Sequence, residues 1–129
     1  MASGNIQKYA DGTDSGWLEL TPDQQSGTDV YTGSIYYRKI GNILEVTGYN
    51  FTLTNQLSAS SYLQLGRLPS GYRPAENKEI YGAGMTPSGT QNIRLYAIRI
   101  SKDGGVLINS NAEAIPTSIS LRFSAIGFL

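Results

Sequence analysis

Short apolar runs, cut by glycine-bearing turns, leave this chain few folds to choose from. The clearest case is residues 34–53. Ser-Ile-Tyr-Tyr-Arg-Lys-Ile over 34–40 is β-branched and aromatic, and Gly41-Asn42 separates it from a second such run, 43–53. Two strand-like runs split by a Gly-Asn pair spell a β-hairpin, because both turn residues reach backbone angles closed to most others. The same grammar recurs later. Residues 92–101 alternate Ile93, Leu95 and Ala97 with Arg94, Tyr96 and Ile98; Asp103-Gly104-Gly105 makes a turn, and 106–108 return. Shorter runs stand at 17–20, 62–65 and 80–85, and an apolar run closes the chain at 119–129. No segment repeats its apolar residues every 3.6 positions. The pattern predicts an all-β domain: an antiparallel β-sandwich, jelly-roll-like, of about eight strands.

Faces follow from the two-residue period of a strand. Ile119, Leu121, Phe123 and Ala125 share one face of the last run, which is therefore expected to be paired and central in a sheet. Tyr36 and Tyr37 point to opposite faces, so at most one belongs to the core of a two-layer fold. In 43–53 the apolar face changes near Gly48, which predicts a bulge or bend there.

Between strands lie polar loops at 21–32, 54–61, 86–91 and 109–117. The connection over 65–74, Leu-Gly-Arg-Leu-Pro-Ser-Gly-Tyr-Arg-Pro, is stiffer, since proline fixes φ and glycine opens turns. Tyr72 is expected to cover the core edge and Arg73 to bond loop carbonyls. Residues 1–15 read as an arm or linker end, or equally as an ordinary mobile terminus, and 16–129 as the sandwich domain.

Composition narrows the chemistry. At 129 residues the chain can bury a proper core. Ten basic residues balance ten acidic ones, which argues against nucleic acid as a partner. No apolar run approaches the roughly 18–20 residues of a membrane span, and the first residues contain no apolar signal core. Cysteine and histidine are absent, which removes disulfides, thiolate nucleophiles, the usual general base and the commonest transition-metal ligand. Asp11-Gly12-Thr13-Asp14-Ser15-Gly16 resembles the start of a calcium loop, but its twelfth position is Pro22, which has no side-chain oxygen. Asn50-Phe51-Thr52 is a formal glycosylation sequon inside an expected strand. The carboxylates show no spacing that marks an acid–base pair. The expectation is a non-enzymatic domain with no cofactor and no metal.

Three segments together resemble a known family. They are Tyr-Arg-Lys-Ile-Gly-Asn-Ile-Leu-Glu-Val-Thr-Gly over 37–48, the 65–74 connection, and Ile-Ser-Lys-Asp-Gly-Gly-Val-Leu-Ile over 100–108, with Trp17 ahead of them. The chain resembles the C-terminal receptor-binding head domains of tail-fibre, baseplate or minor structural proteins of tailed bacteriophages and prophages. The resemblance covers about residues 16–129 and implies a β-sandwich head, a homotrimer, and a host cell-surface glycan as partner. It places the protein in the virion, at the tail tip or baseplate, assembled in the host cytoplasm. It names no binding residues. Two other classes stay open: a structural trimerisation or capping domain, and a fragment of a glycan depolymerase.

Candidate binding residues come from side-chain chemistry instead. Nine tyrosines and one tryptophan are many for a chain this size. Flat aromatic faces suit the C–H surfaces of sugar rings, although tyrosine also simply favours strands. The candidates are Trp17, Tyr36, Tyr62, Tyr81 and Tyr96, with Arg94 for anionic groups. Arg67, Arg73 and Arg99 share that potential, and inter-subunit ion pairs compete for all of them. Ile126 and Phe128 look surplus to a monomer core and are expected at subunit contacts. The loops at 21–32, 54–61, 86–91 and 109–117 are the expected places for receptor contact.

Overall fold

The computed structural model describes residues 14–85 and 94–129. They form ten antiparallel strands and, among the described residues, no helix. The strands are β1 (Leu18–Glu19), β2 (Gln24–Gln25), β3 (Thr28–Asp29), β4 (Tyr31–Ile40), β5 (Ile43–Leu53), β6 (Tyr62–Arg67), β7 (Lys78–Met85), β8 (Arg94–Ile100), β9 (Gly105–Asn109) and β10 (Ser120–Phe128). Eight of them join in the order β1-β4-β5-β10-β7-β8-β9-β6, and β2 pairs with β3 alone.

This sheet folds over on itself as a β-sandwich, its two halves enclosing one core. Ile35, Val46 and Phe51 from one half meet Leu65, Ile98 and Ile108 from the other, all buried. Tyr31, Phe51 and Phe123 stack edge to face at 5.7 and 5.9 Å. The far edges are stitched together by residues 20–23. The Leu20 amide donates to Ile35 of β4 at 2.7 Å, and the Asp23 amide donates to Leu65 of β6 at 2.8 Å. Gly66 permits that approach: a Cβ there would lie 2.7 Å from the Thr21 carbonyl oxygen and 2.8 Å from the Leu20 side chain.

The hairpins expected at Gly41-Asn42 and Asp103-Gly104-Gly105 join β4 to β5 and β8 to β9. The final strand is central, between β5 and β7, with Ile119, Leu121, Phe123 and Ala125 buried. Segment 21–32, read as a loop, in fact holds the small β2–β3 hairpin. Its turn residues Ser26 and Gly27 both take positive φ, 53° and 77°, as a two-residue hairpin turn requires.

The 65–74 connection braces the base. Leu68 bonds Gly104 at 2.8 Å, Tyr72 packs edge-on against Tyr37 at 5.2 Å, and the Arg73 Nε donates to the Leu68 carbonyl at 3.0 Å. Asp14 bridges Ile40, and the Ser15 amide donates to Lys39 at 2.9 Å. The remainder of the arm read over 1–15, residues 1–13, lies outside the described residues, as does the loop at 86–91.

The bulge falls on Asn50, two residues beyond Gly48. On β4, Thr32 faces Thr52 and Ser34 faces Tyr49; on β10, Leu121 faces Phe51 and Arg122 faces Tyr49. Asn50 is thus skipped by both neighbours and sits at φ 54°. The extra residue lets Val46 and Phe51 both reach the core while Tyr49 and Asn50 both face out.

Candidate outward-face binding site

Directly paired residues point to the same face of a sheet, so register gives the outer surface of β4, β5 and β10 as four rows. They run Ser34–Tyr49–Arg122, Tyr36–Thr47–Ser124, Arg38–Glu45–Ile126 and Ile40–Ile43–Phe128. The first two rows are aromatic and polar. The last is apolar, and Phe128 is 66% exposed there.

Trp17 stands beside the second row, and with Tyr36 and Thr47 it lines a shallow hollow of about 240 Å³. The Arg38 guanidinium lies 4.5 Å from the centre of the indole and is itself held by Glu45 at 3.1 Å and Asp14 at 3.9 Å. The guanidinium so held packs on the indole as a cation–π pair.

A second hollow opens where the sheet parts. β10 bonds β7 only at Ser120–Arg122 but follows β5 as far as Phe128. In the resulting fork, Thr47, Tyr49, Tyr81, Gly82, Arg122 and Ser124 help to line about 440 Å³. Thr47 belongs to both hollows. The Arg122 guanidinium lies 4.7 Å from the centre of the Tyr49 ring and donates to the Asn50 Oδ1 at 3.1 Å. Further down, residues 75–78 and 126–128 line a hollow of about 310 Å³, where the Ala75 amide bonds the Phe128 carbonyl at 2.8 Å.

The candidates from sequence divide accordingly. Trp17 and Tyr36 come together at the first hollow, and Tyr81, 72% exposed, stands at the second. Tyr62 is exposed on the other half of the sandwich, opposite Asn109. Arg94 opens β8 opposite Gly84. Tyr96 is corrected: it is fully buried, and its hydroxyl donates to the Arg122 carbonyl. Burial raises the ionisation of its phenol well above the usual tyrosine range. Tyr31 is raised in the same way, by burial first and then by Glu19, Asp29 and Asp23, while its hydroxyl donates to the Leu20 carbonyl at 3.0 Å.

Thr47, Tyr49, Asn50, Arg122 and Ser124 were missed from sequence. The change of apolar face after Val46 was the available signal, since a bulge turns extra side chains outward. Two of the loops expected to reach a receptor are bound to each other. Leu57 and Ile115 exchange backbone bonds at 3.0 and 2.8 Å, and both are buried.

Among the described residues no group of three or more acidic side chains could hold a metal ion. No helix there is long and apolar enough to cross a membrane. The outward face presents aromatic rings, hydroxyls, an amide and guanidinium groups.

No family model matches the chain, and no curated protein does. Solved structures do. One is the head domain of the lactococcal phage bIL170, a receptor-binding domain, with a TM-score of 0.69 at 17% identity. The match covers 88% of this chain and 96% of that one. The chain therefore has the fold of that phage head domain, the fold expected from its three family-like segments.

Proposed function

We propose that the chain is a non-enzymatic host-attachment domain of a bacteriophage tail, and that it holds a bacterial surface saccharide on its outward aromatic face. The observation that carries this reading is the match of nearly the whole chain to a phage receptor-binding head. The face supports it chemically. Trp17, Tyr36, Tyr49 and Tyr81 present ring faces to sugar C–H surfaces, and Thr47, Ser124, Asn50 and Arg122 present polar groups to sugar hydroxyls. Attachment of this kind is reversible and breaks no bond.

In this reading three copies assemble at the tail tip or baseplate of the virion, having been made in the host cytoplasm. The exposed row of Ile43 and Phe128, with Ile126 beside it, is the subunit contact. Three weak sites on one particle bind a repeating polymer with an avidity that can exceed single-site affinity by about 10²–10⁴. The same apolar row favours a second reading, a structural trimerisation domain whose parent recognises the host elsewhere.

A glycan array probed with the 129-residue chain separates the two. Attachment requires saturable binding to one group of bacterial saccharides. A trimer that binds none of them, at concentrations where avidity operates, leaves only the structural reading.

A further inference from the structure

We propose that the gap between β7 and β10 is a strand-addition site, which takes an extended apolar segment of about four or five residues from a partner polypeptide. The partner is a protein and its contacts are main-chain ones, so the site does not rest on the saccharide reading.

The ladder between these two strands stops short. It sets Ser120 against Met85, Leu121 against Gly84 and Arg122 against Ala83. The same register, carried on, would set Ser124 against Tyr81 and Ile126 against Glu79, but the pairing ends before them. The Tyr96 hydroxyl takes the Arg122 carbonyl beside Gly82, and from there the strands part into the two halves of the sandwich. At the base the Ala75 amide donates to the Phe128 carbonyl at 2.8 Å and closes the gap.

A strand offers its main-chain groups alternately to its two sides. On β10 the Arg122 and Phe128 carbonyls face the gap, while the Leu129 amide turns the other way, to the Asn42 carbonyl at 2.9 Å. Ser124 and Ile126 are in phase with Arg122 and Phe128, so each aims an N–H and a C=O into the gap. Glu79 and Tyr81, in phase with Ala83, do the same from β7, whose other side is taken by β8. None of these main-chain groups has a partner among the described residues. Donor and acceptor recur together every second residue, about 6.7 Å apart, which is the period of another main chain.

The walls of the gap set the side chains of the segment. Outward it lies between the exposed Ile126 and Tyr81. Inward it lies over Phe123 and Ala125, which are buried, and Ile80, which packs on the core. Both sides favour apolar residues, as in a strand covered on both faces. Hollows of about 440 and 310 Å³ stand at the two ends. From Arg122 to Phe128 the gap runs about 20 Å at strand rise, which fixes the length of the segment.

The test selects a displayed heptapeptide library against the 129-residue chain and measures the enriched peptides by titration calorimetry. Peptides with consecutive apolar residues are expected. Glu79→Pro removes one N–H from the gap and spares the β8 ladder, because proline is tolerated where the N–H faces away from a partner strand. It is expected to weaken those peptides about tenfold, while Glu79→Ala, which keeps the N–H, binds them as the parent does. Hydrogen exchange is the second readout and decides if Glu79→Pro fails to fold. In the free chain the amides of Ser124, Ile126, Glu79 and Tyr81 exchange fast and those of Ala125 and Ile80 slowly; bound peptide slows the first four. The proposal is overturned if no peptide is enriched, if enriched peptides bind Glu79→Pro as tightly as the parent, or if they leave those four amides fast. Slow exchange of the four in the chain alone shows the gap already filled by a second copy, and it overturns a foreign partner as well.

Discussion

The Tyr96 hydroxyl donates a hydrogen bond to the backbone carbonyl of Arg122, the residue at which β10 parts from β7. The buried ring reaches it across Gly82, where an added Cβ would lie 2.6 Å from the tyrosine and 2.7 Å from that carbonyl oxygen. One core side chain thus fixes the backbone of the residue whose guanidinium faces the groove. The fork is held from inside the sandwich and presented outside it.

Gly82→Ala is expected to destabilise the fold by about 1–3 kcal/mol, because the methyl group has no space that the ring and the strand do not already fill. Tyr96→Phe keeps the packing and loses the hydrogen bond, at about 1–3 kcal/mol for the carbonyl left unpaired. Urea unfolding of both variants measures these costs. A Gly82→Ala variant as stable as the parent would contradict the close approach.

Trp17→Ala and Tyr36→Ala are each expected to weaken saccharide binding about tenfold, or about 1.4 kcal/mol, as a flat aromatic contact surface is lost. Tyr62→Ala is the internal control. Tyr62 is as exposed as Trp17 but stands on the other half of the sandwich, so its loss leaves affinity unchanged in the same calorimetric titration.

Ile126→Ser with Phe128→Ser is expected to convert the assembly to monomers in sedimentation equilibrium. Binding of a short oligosaccharide survives, and retention on a repeating polymer falls with the lost avidity. A parent chain that is already monomeric at micromolar concentration contradicts the trimer.

Stability is expected to fall on the alkaline side. The buried phenols of Tyr31 and Tyr96 ionise above the 10.0 of an unfolded tyrosine. Above pH 10 the unfolded chain gives up these protons while the folded chain keeps them. The stabilisation is therefore complete below pH 10 and is lost as pH rises towards the folded values. Each group lowers stability by about 1.4 kcal/mol per pH unit in that range. Urea midpoints from pH 8 to 11 read it. Tyr31→Phe and Tyr96→Phe should each make the alkaline slope shallower.

The local parts of this fold were legible in the sequence. Gly41-Asn42 and Asp103-Gly104-Gly105 mark hairpins because their turn chemistry acts between neighbours in the chain. Pairings between distant segments leave no such mark. Nothing in β6 names β9 as its partner, and nothing in residues 20–23 tells that they stitch the sandwich edges. The bulge was legible as an extra residue, but alternation alone could not say which one. The bulge falls on Asn50, which takes φ 54° and belongs to the few non-glycine residue types that tolerate it, and not on Gly48. Tyr96 was ambiguous because both faces of its strand carry large apolar groups, and the space left by Gly82 decides which face is buried. Arg122 reads in sequence as an ordinary outward strand residue, and only the bulge and the fork give it a setting.

The most direct test of attachment is retention of the labelled chain on intact bacteria from a host panel, before and after their wall polysaccharide is stripped. The chain is expected to stay on at least one host, to leave when the polysaccharide is removed, and to be competed off by that polysaccharide in solution. Retention should drop with Trp17→Ala and persist with Tyr62→Ala. Retention that survives stripping, or that is indifferent to Trp17, would contradict a saccharide receptor held on this face.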